Sequence, residues 1–230
     1  MGLNRGIPII TLDGPSGTGK GTICHLLAKQ LQWNMLDSGA IYRVLAYAVR
    51  KNKIDFDDFN SLVKLAHSLD LRFESNENNE TTVFLDDQII TKEIRSEQCG
   101  QDASKIASIP QVREALLERQ RAFARAPGLV TDGRDMGTVV FPGAMLKVYL
   151  YASAEERANR RYLQLQRSGN NVSLAQVVEE LAQRDARDTA RSHAPLKPAE
   201  DAVMIDTTGL TIVQVFNNVL KLIDERLKND

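Results

Sequence analysis

Gly14-Pro15-Ser16-Gly17-Thr18-Gly19-Lys20 has the residue types needed to hold a polyphosphate. Glycines spaced as G-x-x-x-x-G-K let the backbone turn tightly and bring its N–H groups against phosphate oxygens. A helix that begins at Lys20 adds its unpaired N–H groups and the positive end of its dipole at the same point. Lys20 itself supplies a mobile charge for the β and γ phosphates of a nucleoside triphosphate such as ATP. The motif usually ends in a Ser or Thr whose hydroxyl reaches Mg²⁺, but here Gly21 takes that position and Thr22 follows. Mg²⁺ keeps several waters, so phosphate oxygens, water and a nearby carboxylate can hold it without that hydroxyl. Asp132 and Asp13, each at the end of a predicted strand, are the carboxylates considered for this.

Phosphoryl transfer needs a second site that aligns an acceptor with the γ phosphate, and an anionic acceptor calls for arginines. Arg43 lies one turn beyond Asp37-Ser38-Gly39, and Thr131-Asp132-Gly133-Arg134-Asp135-Met136-Gly137 follows a short apolar run. Ligands of open parallel sheets bind beyond the carboxyl ends of the strands. Asp132, Arg134 and Asp135 are therefore expected to face the phosphates. Two further arginine groups fall on predicted helices: Arg157, Arg160 and Arg161, then Arg184, Arg187 and Arg191 with Asp185 and Asp188. Val177 and Leu181 begin a buried stripe that Arg184 and Asp188 continue at three- and four-residue steps. A core-facing stripe that turns charged is expected to have reached a cleft. His25, His67 and His193 are read as surface or packing residues, because a phosphate monoester is largely ionised at neutral pH and needs no base.

The elements that must carry these groups follow from periodicity. Ile7 to Leu12 reads as a buried strand stopping at Asp13-Gly14, and Ile23, Leu26, Leu27 and Leu31 recur at the helical period between Lys20 and Gln32. A patch at Met35-Leu36 precedes helices over Tyr42 to Val49 and about Asp57 to Leu69. From Leu71 to Thr91 the pattern is strand-like, broken by the polar stretch 76–80 and by Asp86-Asp87, which predicts a small antiparallel meander of two or three strands. Helical periodicity returns after it, most clearly beyond Pro110, with Val112, Leu116 and Phe123 on one face. Leu129 to Thr131, Leu146 to Tyr151 and Val203 to Ile205 read as short strands. Ser153 with Glu156, Ser173 with Gln176 and Thr211 with Gln214 mark three helix starts. Alternating strands and helices predict an α/β fold with a parallel sheet covered on both faces.

Composition narrows the setting. The 230 residues, 43% apolar and 26% charged, can bury one core, so a single compact domain is expected. Lys and Arg total 29 against 30 Asp and Glu, a formal charge of −1 that offers no global field for nucleic acid or a membrane surface. Cys24 and Cys99 lack metal-ligand spacing and suit a reducing compartment. No stretch approaches the about 18 apolar residues of a membrane span, and a cytoplasmic protein is expected.

Four blocks together resemble the cytidylate kinases of bacteria: Gly14 to Thr22, Leu36-Asp37-Ser38-Gly39-Ala40-Ile41-Tyr42-Arg43, Asp132-Gly133-Arg134-Asp135-Met136-Gly137-Thr138, and Arg184-Asp185 through Arg191. The likeness covers essentially the whole chain, and the last three blocks are more specific than the first. It implies a P-loop NTPase fold with a five-stranded parallel sheet covered by helices and a small antiparallel β insert at about 71–91. One kinase domain over 6–228 is expected, with a monophosphate-binding region at about 39–115 and a mobile lid at about 155–172. The implied reaction moves the γ-phosphoryl of ATP to CMP or dCMP, with Mg²⁺ and no covalent enzyme intermediate. Residue by residue, the resemblance implies that Gly14, Pro15, Ser16, Gly17, Thr18, Gly19, Lys20, Gly21 and Thr22 bind ATP. Ser38 would lie in the acceptor site; Ser104, Arg113 and Asp135 would contact cytosine, and Arg184 and Asp188 would hold the sugar hydroxyls. Arg43, Arg134 and Arg191 would hold the acceptor phosphate, and a lid arginine among Arg157, Arg160 and Arg161, taken as Arg161, would reach the transferring group. Asp132 would serve the metal through water. A monomer acting on small molecules is expected. The alternative is a P-loop nucleotide switch or regulatory ATPase, although no Asn-Lys-x-Asp guanine-reading motif is evident.

Overall fold

Short β-branched runs become the strands, and apolar residues at helical spacing become the helices that cover them. In the computed structural model, which describes residues 6–75, 81–167, 169 and 171–229, the order begins β1 (Ile9–Asp13), α1 (Lys20–Leu31), β2 (Asn34–Asp37), α2 (Ser38–Lys51) and α3 (Phe59–Ser68). It continues with β3 (Leu71–Ser75), β4 (Thr81–Leu85), β5 (Gln88–Ile89), α4 (Glu97–Ile106) and α5 (Pro110–Arg121). Then come β6 (Leu129–Gly133), β7 (Leu146–Tyr151), α6 (Ala154–Arg167), α7 (Leu174–Ala190), β8 (Val203–Asp206) and α8 (Ile212–Asn229). Two compact units result, Met1–Leu36 with Phe123–Asp230, and Asp37–Ala122.

The expected five-stranded parallel sheet flanked by helices is present, in the order β2-β6-β1-β7-β8. β1 lies at its centre, with Ile9 opposite Leu129 on one side and Ile10 opposite Leu146 on the other. Ile10, Leu12, Val130 and Val148 meet Ile23 and Leu27 of α1 and Val215, Val219 and Ile223 of α8 in one core. A second, smaller cluster joins α6 to α7 through Ala158, Leu165, Val177 and Leu181. Asp13 ends β1 in an active way: its Oδ1 and Oδ2 accept from the N–H groups of Met136 at 2.9 Å and Gly137 at 2.7 Å. That carboxylate fixes a π-helical turn, Met136–Val140, just past β6.

In the other unit, Ile41, Val44, Leu45 and Val49 form the buried face of α2, and α2 packs against α4 as α3 does against α5. The predicted meander is the antiparallel sheet β3-β4-β5, with Phe73 opposite Val83. Asp86 and Asp87 turn the hairpin with φ of 48° and 59°, the double left-handed turn that matches strand twist. The polar stretch 76–80 lies outside the described residues, as do 168 and 170 in the segment read as a lid. Phe123 does not share the α5 face as expected, because the helix ends at Arg121; the buried stripe is Val112, Leu116 and Gln120. α2 starts at Ser38, earlier than its periodicity indicates, because Asp37 caps it by accepting from the Ala40 N–H at 2.9 Å. Among the described residues no helix is long and apolar enough to cross a membrane.

Candidate active site

The loop after β1 is shaped by contacts that only glycine permits. Gly14 sits at φ 143°, and a Cβ there would fall 2.0 Å from the Leu150 carbonyl oxygen of β7. Gly17, at φ 82°, brings the loop so close to α6 that a Cβ would lie 2.8 Å from the Arg157 carbonyl oxygen. Gly19 caps α1 in the left-handed conformation, whereas a Cβ on Gly21 would meet nothing within 4 Å. Thr22 is exposed.

Lys20 follows the loop and is buried. Its ammonium donates to the Pro15 carbonyl at 2.6 Å and to Thr18 Oγ1 at 3.4 Å. Burial, with Arg134 as the next cause, pushes Lys20 down to about 7, against the pull of Asp132 and Asp13. Burial also pushes the Asp13 carboxyl up to about 6, although the Gly137 and Met136 N–H groups oppose it. Asp132, at the carboxyl end of β6, is buried.

Arg134 joins three elements. Its Nη2 donates to Ser16 Oγ at 2.6 Å, its Nε to Asp188 Oδ2 at 2.8 Å and its Nη1 to the Gly133 carbonyl at 3.3 Å. Asp188 is 1% exposed and also accepts from Arg191 through its other oxygen. Burial alone would raise Asp188, but Arg134, Arg191 and Arg184 together hold it below the usual carboxylate range. The α7 stripe thus runs Val177, Leu181, Arg184, Asp188, as its spacing indicates, and ends among cations beside the loop. Asp135 is buried and precedes the π-helical turn, its carbonyl accepting from the Val139 and Val140 N–H groups.

The arginines of α6 divide by task. Arg157 donates to the Ser16 carbonyl at 3.1 Å and pairs with Asp185 at 2.6 Å, so it braces the loop. Arg160 donates to Thr207 Oγ1 at 3.0 Å, to the Thr207 carbonyl at 2.6 Å and to the Leu210 carbonyl at 3.3 Å. Arg161 donates to Gln164 on its own helix at 3.0 Å.

The unit of residues 37–122 holds the remaining predicted acceptor residues. Ser38 Oγ donates to Gln120 Oε1 at 2.7 Å, and Arg43 Nη1 donates to the Ile94 and Ser96 carbonyls at 2.8 and 3.3 Å. Arg113 lies 5.5 Å over the Tyr42 ring and donates to the Ala107 carbonyl at 3.2 Å. Ser104 is buried on α4. Gln120 and Thr207 escaped the sequence reading. Gln120 had a usable signal, since it continues the buried Val112 and Leu116 stripe with a polar residue. Thr207 had none, because its partners come from α6 and from the loop after β1, far away in sequence.

A central parallel strand that runs through a glycine loop into a helix, with Arg134 and Arg157 bonded to that loop, defines a P-loop phosphotransferase. The cytidylate kinase family model matches residues 10–225. Relatives include the "Cytidylate kinase" of Stutzerimonas stutzeri (strain A1501), 52% identical over 96% of each chain. That of Pseudomonas syringae pv. tomato is 55% identical over 93% of each, and that of Aliivibrio salmonicida 54% identical over 96% of this chain and 98% of its own. This chain belongs to the cytidylate kinase family. The nucleotide-switch reading is not favoured by these likenesses.

Proposed function

We propose that this enzyme transfers the γ-phosphoryl of ATP to CMP or dCMP, giving ADP and CDP or dCDP. The observation that carries the reading is Arg134, which is bonded at once to Ser16 of the glycine loop and to Asp188 of the α7 stripe. One guanidinium thereby links a donor-phosphate cradle to a charged acceptor cleft. Glycine-loop N–H groups and Lys20 hold the ATP phosphates. An oxygen of the acceptor phosphate attacks the γ phosphorus as its bond to the ADP oxygen breaks, and no enzyme group is covalently modified. Arg134 and Arg191, oriented by Asp188, fix the acceptor phosphate with Arg43 and balance the charge of the transferring group. Ser38 belongs to the same acceptor site, Asp135, Ser104 and Arg113 read the cytosine, and Arg184 and Asp188 hold the sugar. Arg161 is assigned to the transferring phosphoryl as the lid arginine that the family resemblance implies.

Mg²⁺, when bound, neutralises charge between the phosphates. Asp132, buried at the carboxyl end of β6, would hold the metal through water, while Asp13 is committed to two backbone N–H groups. Residues 6–228 act as one kinase domain, with 39–115 as monophosphate-binding region and 155–172 as lid, in a cytoplasmic monomer that takes small molecules and not nucleic acid. Coupled measurement of nucleoside diphosphate formation with CMP, dCMP, UMP, AMP and water tests this. Turnover should be greatest with CMP or dCMP; equal release of phosphate to water would overturn the reading.

A further inference from the structure

Gly100 is a residue whose absent side chain needs a reason. It is buried in the first turns of α4, and glycine is the poorest helix former after proline. Its backbone is not in the left-handed region, so conformational freedom is not why it is glycine. The explanation lies across the helix surface. A Cβ on Gly100 would stand 2.9 Å from Nη2, 3.1 Å from Nη1 and 3.3 Å from Cζ of Arg43. Both terminal nitrogens lie nearer than Cζ, so the Nη edge of the guanidinium points at the glycine.

The surroundings fix it there. Arg43 Nη1 donates to the carbonyls of Ile94 and Ser96, both just before α4. Ser96 Oγ caps α4 by accepting from the Cys99 N–H at 3.3 Å, and Cys99 Sγ donates to the Arg43 carbonyl at 3.2 Å. The backbone beneath Arg43 is thus held by a cap and by packing, whereas the guanidinium is the far end of a flexible side chain. A methyl group introduced between them displaces the arginine and leaves the helix in place.

We infer that Gly100 is a positioning residue for the acceptor: its bare backbone sets where the Arg43 guanidinium lies, and so how tightly the monophosphate is held. The inference rests on the proposed role of Arg43 as a ligand of the acceptor phosphate. It predicts an unusual separation of stability from binding. Alanine is the better helix former, so Gly100→Ala should keep or raise the thermal midpoint. The same substitution should raise the KM and the dissociation constant for CMP about tenfold, the effect of weakening one charge-assisted contact. KM for ATP and kcat should change little, because an interaction made equally with bound acceptor and transition state acts on KM.

The test is a double-mutant cycle of Gly100→Ala and Arg43→Met, read by steady-state kinetics, calorimetric CMP binding and thermal midpoint. Support is a raised CMP constant in each single variant and no further rise when Gly100→Ala is added to Arg43→Met. If Arg43→Met weakens CMP but Gly100→Ala does not, or if the two effects simply add, the inference falls while the proposed reaction stands. If Arg43→Met leaves CMP binding unchanged, the acceptor role of Arg43 falls and takes this inference with it. Should Gly100→Ala unfold the protein, recovery of the thermal midpoint in the Arg43→Met background supports the contact, and continued unfolding there overturns it.

Discussion

Lys20 shows how one side chain can be legible in a motif and still hold something unexpected. Its type and position follow from seven consecutive residues, but its burial and its displaced titration follow from the folded surroundings. With a folded value near 7 against the ordinary 10.5, the unfolded chain binds more protons between those values, so folding stability rises with pH across that window. A polyphosphate beside the ammonium favours the charged form. ATP binding at about pH 8.5 should therefore take up close to one proton, seen by calorimetry in two buffers of different ionisation heat. Lys20→Ala should abolish that uptake and lower turnover at least about 100-fold while circular dichroism stays unchanged; full turnover in the folded variant would contradict the ATP site. Asp135 poses a different question, that of base choice. A carboxylate accepts from the amino group of cytosine and opposes the carbonyl of uracil. Asp135→Ala should lower kcat/KM for CMP and raise it for UMP relative to CMP, and an unaltered ratio in a folded variant would show that Asp135 does not read the base.

At the level of elements, the sequence was most informative where a pattern was local. The α7 stripe and its capping box, with Gln176 and Ser173 bonded to each other's backbone, follow from spacing alone. α4 was harder to see, since Gly100, Asp102 and Ser104 interrupt its apolar face although all three are buried. The π-helical turn at Met136–Val140 has no sequence period, because the carboxylate that fixes it is Asp13, on another strand. Asp188 and Arg184, both on the α7 stripe, should respond differently to substitution. Asp188 is enclosed and accepts from two arginines, and removing one partner of a buried ion pair costs about 3 to 5 kcal/mol. Asp188→Ala should thus lower the thermal midpoint sharply and weaken CMP binding. Arg184→Met should raise the CMP dissociation constant about tenfold with the midpoint and the ATP constant nearly unchanged. Equal loss of stability in both would show that Arg184 is a packing residue.

For the molecule as a whole, the large exposed apolar side chains among the described residues occur singly or in pairs on several elements, such as Ile89 on β5, Leu163 on α6, Leu174 with Val178 on α7 and Ile212 with Val213 on α8. Sedimentation should accordingly give a species of about 25.6 kDa with or without nucleotide, and a stable dimer would contradict the expected monomer. Chain order within the large sheet has a further result. β1 is central, yet the strands on both its sides, β6 and β7, are encoded about 120 and 136 residues after it. During synthesis at a ribosome, β1 and its glycine loop emerge early and wait without strand neighbours while all of Asp37–Ala122 leaves the exit tunnel. Closing so long a loop slows the pairing of the sheet, and the apolar run that becomes its central strand has no strand partner until then.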